Sequence, residues 1–150
     1  VASDKNVARI SVMGVSNEPG IAFKVFNCLA KNKINVDIIL QSVGRGGTKD
    51  IAFTVAKNDV EATVEVIKEN MDVFTAESYE VEEDVAKVSI IGAGMTSNPG
   101  VAAKMFEALS TGGINIKMIS TSEIRITVVV DAYNADRAVR YIHDAFALAE

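Results

Sequence analysis

The sequence predicts an α+β protein built twice from one strand–helix plan, and three observations predict it. "VARISVMG" (Val7 to Gly14) is matched by "VAKVSIIG" (Val85 to Gly92). "GIAFKVFNCLAKNKINVDIIL" (Gly20 to Leu40) aligns without a gap on "GVAAKMFEALSTGGINIKMIS" (Gly100 to Ser120). "DIAFTV" (Asp50 to Val55) then matches "EIRITV" (Glu123 to Val128). Self-similarity at this length marks an internal duplication.

Each copy opens on a short β-rich strand, Val7 to Gly14 or Val85 to Gly92. A turn with Pro and Gly leads into a helix. Ala22, Val25, Phe26 and Leu29 fall at i, i+3, i+4 and i+7, as do Ala102, Met105, Phe106 and Leu109, so each helix carries one apolar stripe. Ile34 to Ser42 and Ile114 to Ser122 read as second strands. In the first of these, Ile34, Val36, Ile38 and Leu40 are expected to face the helix-covered core. Asn35, Asp37, Ile39 and Gln41 are expected on the open face. A "GRGGTKD" loop leads to the third strand in the first copy, a "TSE" turn in the second. A closing helix holds Val60, Thr63, Val64, Ile67 and Met71 in one copy, and Ala135, Ala138, Val139, Ile142 and Phe146 in the other.

A fourth strand, roughly Phe74 to Val81, completes βαββαβ in the first copy: the ferredoxin-like plan, an antiparallel four-stranded sheet with both helices on one face. The second copy reaches Glu150 directly after its last helix. Val1 to about Lys5 is therefore expected to supply its missing strand. The domains are read as 7–82 and 83–150, with residues 1–6 joined to the second.

Composition bounds the function. A net charge of −5 with scattered Lys and Arg argues against nucleic acid, which needs a concentrated basic surface. No stretch reaches the roughly 18 unbroken apolar residues of a membrane span. No basic or signal-like segment is visible at the start, so the cytoplasm is the expected compartment. The single Cys28 excludes an internal disulfide framework, and it has no neighbouring histidine or basic pair to make it a nucleophile. His143 has no ligand-spaced partner for a metal, and "GRGGTKD" has no phosphate-loop pattern. Neither catalytic residues nor a metal or cofactor site are expected.

The repeated turn does suggest binding. A free amino acid presents a carboxylate beside an ammonium group. The start of a helix offers unpaired N–H groups and a partial positive charge to the first. Gly20 and Gly100 leave that backbone approachable, and Ser16, Asn17, Ser97 and Asn98 place side-chain oxygens nearby. The same residues also suit a turn and a helix cap with no ligand.

"NVARISVMGVSNEPGIAFKVF", "INVDIILQSV", "GAGMTSNPGVAAKMFEAL" and above all "INIKMISTSEIRITVVV" resemble the C-terminal regulatory region of aspartate kinase, a pair of ACT domains. The resemblance covers essentially the whole chain. It implies allosteric sensing of threonine, lysine or both at boundaries between ACT units, for feedback on the biosynthesis of lysine, threonine and methionine. It implies no phosphorylation by this chain alone, a homodimer formed through ACT units, to which apolar Ile39 and Ile119 also point, and a catalytic aspartate kinase subunit as partner. By the same resemblance, the effector contacts of the first copy are Ser16, Asn17, Gly20, Ile21, Ala22, Asn35 and Gln41. Those of the second are Asn98, Gly100, Val101, Ala102, Asn115 and Ile116, with Ser120, Thr121, Ser122 and Glu123 in the "STSE" turn. Asn17 stands where this family often has an acidic residue. The alternative is an ACT scaffold that holds a catalytic subunit together and binds no ligand.

Overall fold

The structure is a computed structural model that describes residues 1–44, 46–92 and 100–147. It resolves two compact units, Asn6–Glu83 and Val1–Lys5 with Asp84–Glu150. Each has a four-stranded antiparallel sheet.

The chain opens on β1 (Ala2–Asp4), which belongs to the second unit. The first unit runs β2 (Ala8–Ser16), α1 (Ile21–Lys31), β3 (Ile39–Val43), β4 (Thr48–Val55), α2 (Val60–Glu69), α3 (Met71–Phe74) and β5 (Ser78–Glu82). Its strand order is β3-β4-β2-β5. Alternate residues of the central strands, Ile10 and Val12 with Ile51, Phe53 and Val55, pack on Ile21, Val25 and Leu29 of α1 and on Val66 and Ile67 of α2. Phe26 meets the Phe53 ring edge to face, with centroids 5.8 Å apart.

The second unit runs β6 (Val85–Ile91), α4 (Gly100–Thr111), β7 (Met118–Thr121), β8 (Arg125–Asp131) and α5 (Ala135–Ala147). Its order is β1-β6-β8-β7. Ala2, Ser3 and Asp4 of β1 pair with Ser89, Val88 and Lys87. Val88, Ile90, Ile126, Val128 and Val130 form the sheet side of its core, against Met105 and Leu109 of α4 and Ala138 and Ile142 of α5. The expected α+β class of two ferredoxin-like units is what the chain adopts. Among the described residues no helix is long and apolar enough to cross a membrane.

Four details differ from the sequence reading. The second strands are shorter than expected: β3 spans Ile39–Val43 and β7 spans Met118–Thr121. Before each, the chain enters the ladder with one residue too many. The Asp37 N–H donates to the Thr54 carbonyl at 3.1 Å, while the Thr54 N–H donates to the Ile38 carbonyl at 3.0 Å and Thr54 Oγ1 accepts from the Ile38 N–H at 3.0 Å. Two residues thus face one, the signature of a bulge.

The faces are consequently exchanged beyond it. Ile39 pairs with core residue Phe53 and Gln41 with core residue Ile51, whereas Leu40 pairs with Ala52. Leu40, expected in the core, is 44% exposed, and Ile39 on the Phe53 side remains 49% exposed because β3 is an edge strand. A one-residue slip turns every later side chain over.

Third, the strand match of Asp50–Val55 with Glu123–Val128 is displaced by two. Ala8 pairs with Val55 and its counterpart Ala86 with Val130, so Ile51–Val55 corresponds to Ile126–Val130. A shift of two preserves the alternation and leaves no trace in the hydrophobic pattern. Fourth, Phe74 does not begin a strand. It closes α3 and is fully buried, and β5 starts only at Ser78.

Helices α1 and α4 end alike. The Ile34 N–H donates to the Leu29 carbonyl and the Lys33 N–H to the Ala30 carbonyl, both at 3.0 Å. This double closure needs a left-handed residue, supplied by Gly113 (φ 68) in the second unit but by Lys33 (φ 60) in the first. Lys33→Gly is expected to raise the unfolding free energy by about 0.5–1 kcal/mol, read from urea denaturation.

Candidate functional site

The first unit's site is shaped by a second bulge. In the β2–β4 ladder Val12 pairs with Ile51 and Val15 with Lys49, so Met13 and Gly14 stand opposite the single Asp50. Gly14 takes φ 68, a conformation that costs glycine little. Its N–H donates to Asp50 Oδ1 at 2.9 Å. A methyl group at Gly14 would lie 2.7 Å from the Glu77 side chain. Beyond the bulge the ladder resumes, with Ser16 opposite Thr48.

From there the chain leaves the sheet for α1 under several restraints. The Ser16 N–H donates to Thr75 Oγ1 at 3.1 Å. The Asn17 N–H donates to the Gly47 carbonyl at 2.8 Å, and the Ile21 N–H to the Glu18 carbonyl at 3.3 Å. Gly20 caps α1 at φ 91, and nothing lies within 4 Å of where its Cβ would be. Having no side chain, it cannot cap the helix itself. No acidic residue stands in the first turn of α1. The N–H groups of Ala22 and Phe23 belong to that turn, where a helix has no internal acceptor. The space beside the Gly20 Cα is therefore clear, and the helix start carries the partial positive charge that suits a carboxylate.

Of the predicted contacts, Ser16, Asn17, Gly20, Ile21 and Ala22 are contiguous here. Asn17 and Gly20 are exposed, Ser16 and Ala22 half-buried, and Ile21 buried in the core. Ser16 Oγ is buried and has no hydrogen-bond partner among the described residues. Gln41 lies on the same half of the sheet. Val43 pairs with Lys49, the Gly44 N–H donates to the Thr48 carbonyl at 2.7 Å, and Thr48 pairs with Ser16. Asn35 is exposed but precedes the Asp37–Ile38 bulge, at the opposite end of the β3 segment from the turn. The structure separates it from Gln41.

In the second unit Gly100, Val101 and Ala102 open α4, Gly100 exposed and the others half-buried. Asn98, with Ser97, lies outside the described residues. Asn115 is exposed and Ile116 half-buried ahead of β7. Ser120 pairs with Thr127 and Thr121 with Ile126. The Ser122 N–H donates to the Arg125 carbonyl at 2.8 Å and closes the hairpin, with Glu123 exposed at its tip. The Gly92 N–H donates to the Ile124 carbonyl at 2.8 Å, where Gly14 used the Asp50 carboxylate. By the strand register, Arg125 holds the position of Asp50. The glycines that end the two first strands, Gly14 and Gly92, therefore rest on different supports.

Asp50, Thr75 and Gly47 were not identified from sequence. Asp50 read as an ordinary strand start and Gly47 as part of a flexible loop. Thr75 carries no local signal, because its partner is distant in the chain. Elsewhere, Cys28 packs half-buried against the first core and His143 is exposed beside Asp144 at 3.9 Å. Among the described residues no cluster of His, Cys, Asp and Glu could hold a metal ion. A surface groove of about 460 Å³ between α4 and α5 is lined by Lys104, Glu107, Ala108, Thr111, Tyr141 and Ala145, none of them a predicted contact.

The ACT-domain family model matches residues 10–71 and 88–146. An aspartokinase of Helicobacter pylori (strain ATCC 700392 / 26695) is 46% identical over 148 residues, a match covering 99% of this chain and 36% of that protein. The chain thus spans about a third of the length of the curated relatives it matches. Among solved structures, a chain of the aspartokinase alpha and beta subunits is 44% identical with a TM-score of 0.92, covering 97% of this chain and 96% of that one. The ligand-free regulatory subunit of aspartate kinase from Thermus thermophilus is 41% identical with a TM-score of 0.92, covering 97% and 95%.

The bulge yields a direct expectation. Gly14→Ala forces a methyl group into the left-handed region and displaces Glu77, so it should lower the unfolding free energy by about 1–2 kcal/mol in urea denaturation.

Proposed function

The chain belongs to the ACT-domain family as the regulatory part of an aspartokinase, and from that premise we propose that it senses free threonine, lysine or both to control an aspartate-phosphorylating catalytic chain. Feedback on the biosynthesis of lysine, threonine and methionine in the cytoplasm is the role that follows. The observation that carries this reading is the start of α1. Gly20 at its N-cap has clear space and no capping side chain, and the preceding turn is tied down through Ser16 and Asn17.

A ligand carboxylate would lie against the first-turn N–H groups. Its ammonium group would turn to the amide oxygens of Asn17 and Gln41. Asn17 offers no charge, so hydrogen bonding rather than ion pairing would hold that end. Boundaries between ACT units of paired copies would complete the cleft. The exposed apolar side chains of edge strand β3, with Ile39 49% and Val43 80% accessible, support such pairing. An effector held there shifts the catalytic partner only by its differential affinity for two arrangements, typically about 1–3 kcal/mol.

Calorimetry and thermal unfolding with L-threonine and L-lysine, separately and together, test this directly. Ligand at about a hundred times its dissociation constant should stabilise the chain by about 2.7 kcal/mol, a rise of several degrees. An unchanged transition and no heat of binding at millimolar ligand defeats the sensing role and leaves the scaffold. Gln41→Ala should weaken binding about fivefold, the loss of one hydrogen bond, without moving the transition of the free chain.

A further inference from the structure

Thr75 links α3 to β5 in the left-handed region, at φ 53 and ψ 33. Such a conformation is uncommon for any residue with a Cβ and a marked outlier for a β-branched one. Glycine would occupy it without strain. The threonine closes the end of α3: its N–H donates to the Asp72 carbonyl at 3.1 Å, the Ala76 N–H to the Met71 carbonyl at 3.0 Å, and adjacent Phe74 is fully buried. Its hydroxyl does two things. It donates to the Phe74 carbonyl and accepts the Ser16 N–H at 3.1 Å, across 59 positions of sequence.

The Ser16 contact is exposed, so water can replace it and its contribution to folding is small. The close of α3 requires a left-handed residue at this position, as that of α1 does at Lys33, but it does not require a threonine. Ser16, however, is the last strand residue before the turn that opens α1, two residues beyond the glycine at the bulge. Beside the Val15–Lys49 and Ser16–Thr48 ladder pairs and the Glu77 N–H on the Met13 carbonyl, this segment is held by Asp50 at Gly14, Thr75 at Ser16 and Gly47 at Asn17, and of these Thr75 alone binds Ser16 through a side chain.

We propose that Thr75 is a positioning residue for the amino-acid site of the first unit: its hydroxyl holds Ser16, and through Ser16 the Asn17–Gly20 turn, in the arrangement that receives the ligand. This rests on the sensing role of that turn. Holding the turn beforehand spares the ligand the cost of ordering it, so the effect lies in affinity rather than in folding.

The test compares the parent 150-residue chain with Thr75→Gly and Thr75→Ser. Melting temperatures, calorimetric titration with L-threonine and L-lysine, and amide hydrogen exchange at Ser16 and Asn17 are measured on each. Thr75→Gly removes both the strain and the hydroxyl. It should melt at the parent temperature or above, exchange the Ser16 and Asn17 amides faster, and bind about fivefold more weakly. Thr75→Ser should restore the binding. A parent chain that binds neither amino acid overturns the sensing role and this one with it. A parent that binds, with Thr75→Gly binding equally, overturns the positioning role alone. So does a loss of affinity that merely follows a loss of stability and is not rescued by Thr75→Ser.

Discussion

The first unit's site depends on the place in β2 where two residues answer one. Met13 and Gly14 opposite Asp50 break the ladder, put Gly14 at φ 68, and return Ser16 to register beside Thr48. Without the extra residue, the alternation of β2 would deliver Ser16 to the other face of the sheet. The Asp50 carboxylate accepts the N–H that the break leaves over. The bulge thereby aims the chain at the helix and sets where Gly20 stands.

Much of this was legible in the sequence, and the reasons are physical. Helices α1 and α4 declared themselves through stripes at helical spacing: Val25, Leu29, Met105 and Leu109 of those stripes are buried, Ala22, Phe26, Ala102 and Phe106 half-buried, and Ile21 and Ala108 beside them are buried as well. The turn from Ser16 to Ala22 was legible because its parts are contiguous. What failed was parity. A bulge carries no side-chain mark, so the swap that put Ile39 rather than Leu40 on the side of Phe53 could not be read from alternation. The two-residue displacement of the third strand was hidden for the complementary reason. Thr75 and Asp50 were invisible because each acts through a backbone N–H distant in the chain, and an N–H is offered by every residue but proline.

The duplication has kept geometry while letting chemistry drift. Ser89 Oγ shares a hydrogen bond with Thr127 Oγ1 at 2.7 Å. Its counterpart Ser11 is 2% exposed but faces Ala52, and its hydroxyl has no partner among the described residues. Asp50 gives way to Arg125, and a carboxylate that braces a glycine gives way to a backbone carbonyl. Such replacements leave both sheets intact while giving the two units different charges at one strand position.

The wiring of β1 has a mechanical consequence. Because Ala2–Asp4 lies along β6, any polypeptide joined ahead of Ala2 is tethered to the body that holds α5, although the sequence that follows builds the other body first. Tension from that side would load the β1–β6 ladder in shear, several hydrogen bonds at once. The body between would be bypassed, and displacement of β1 would leave β6 as an uncovered edge.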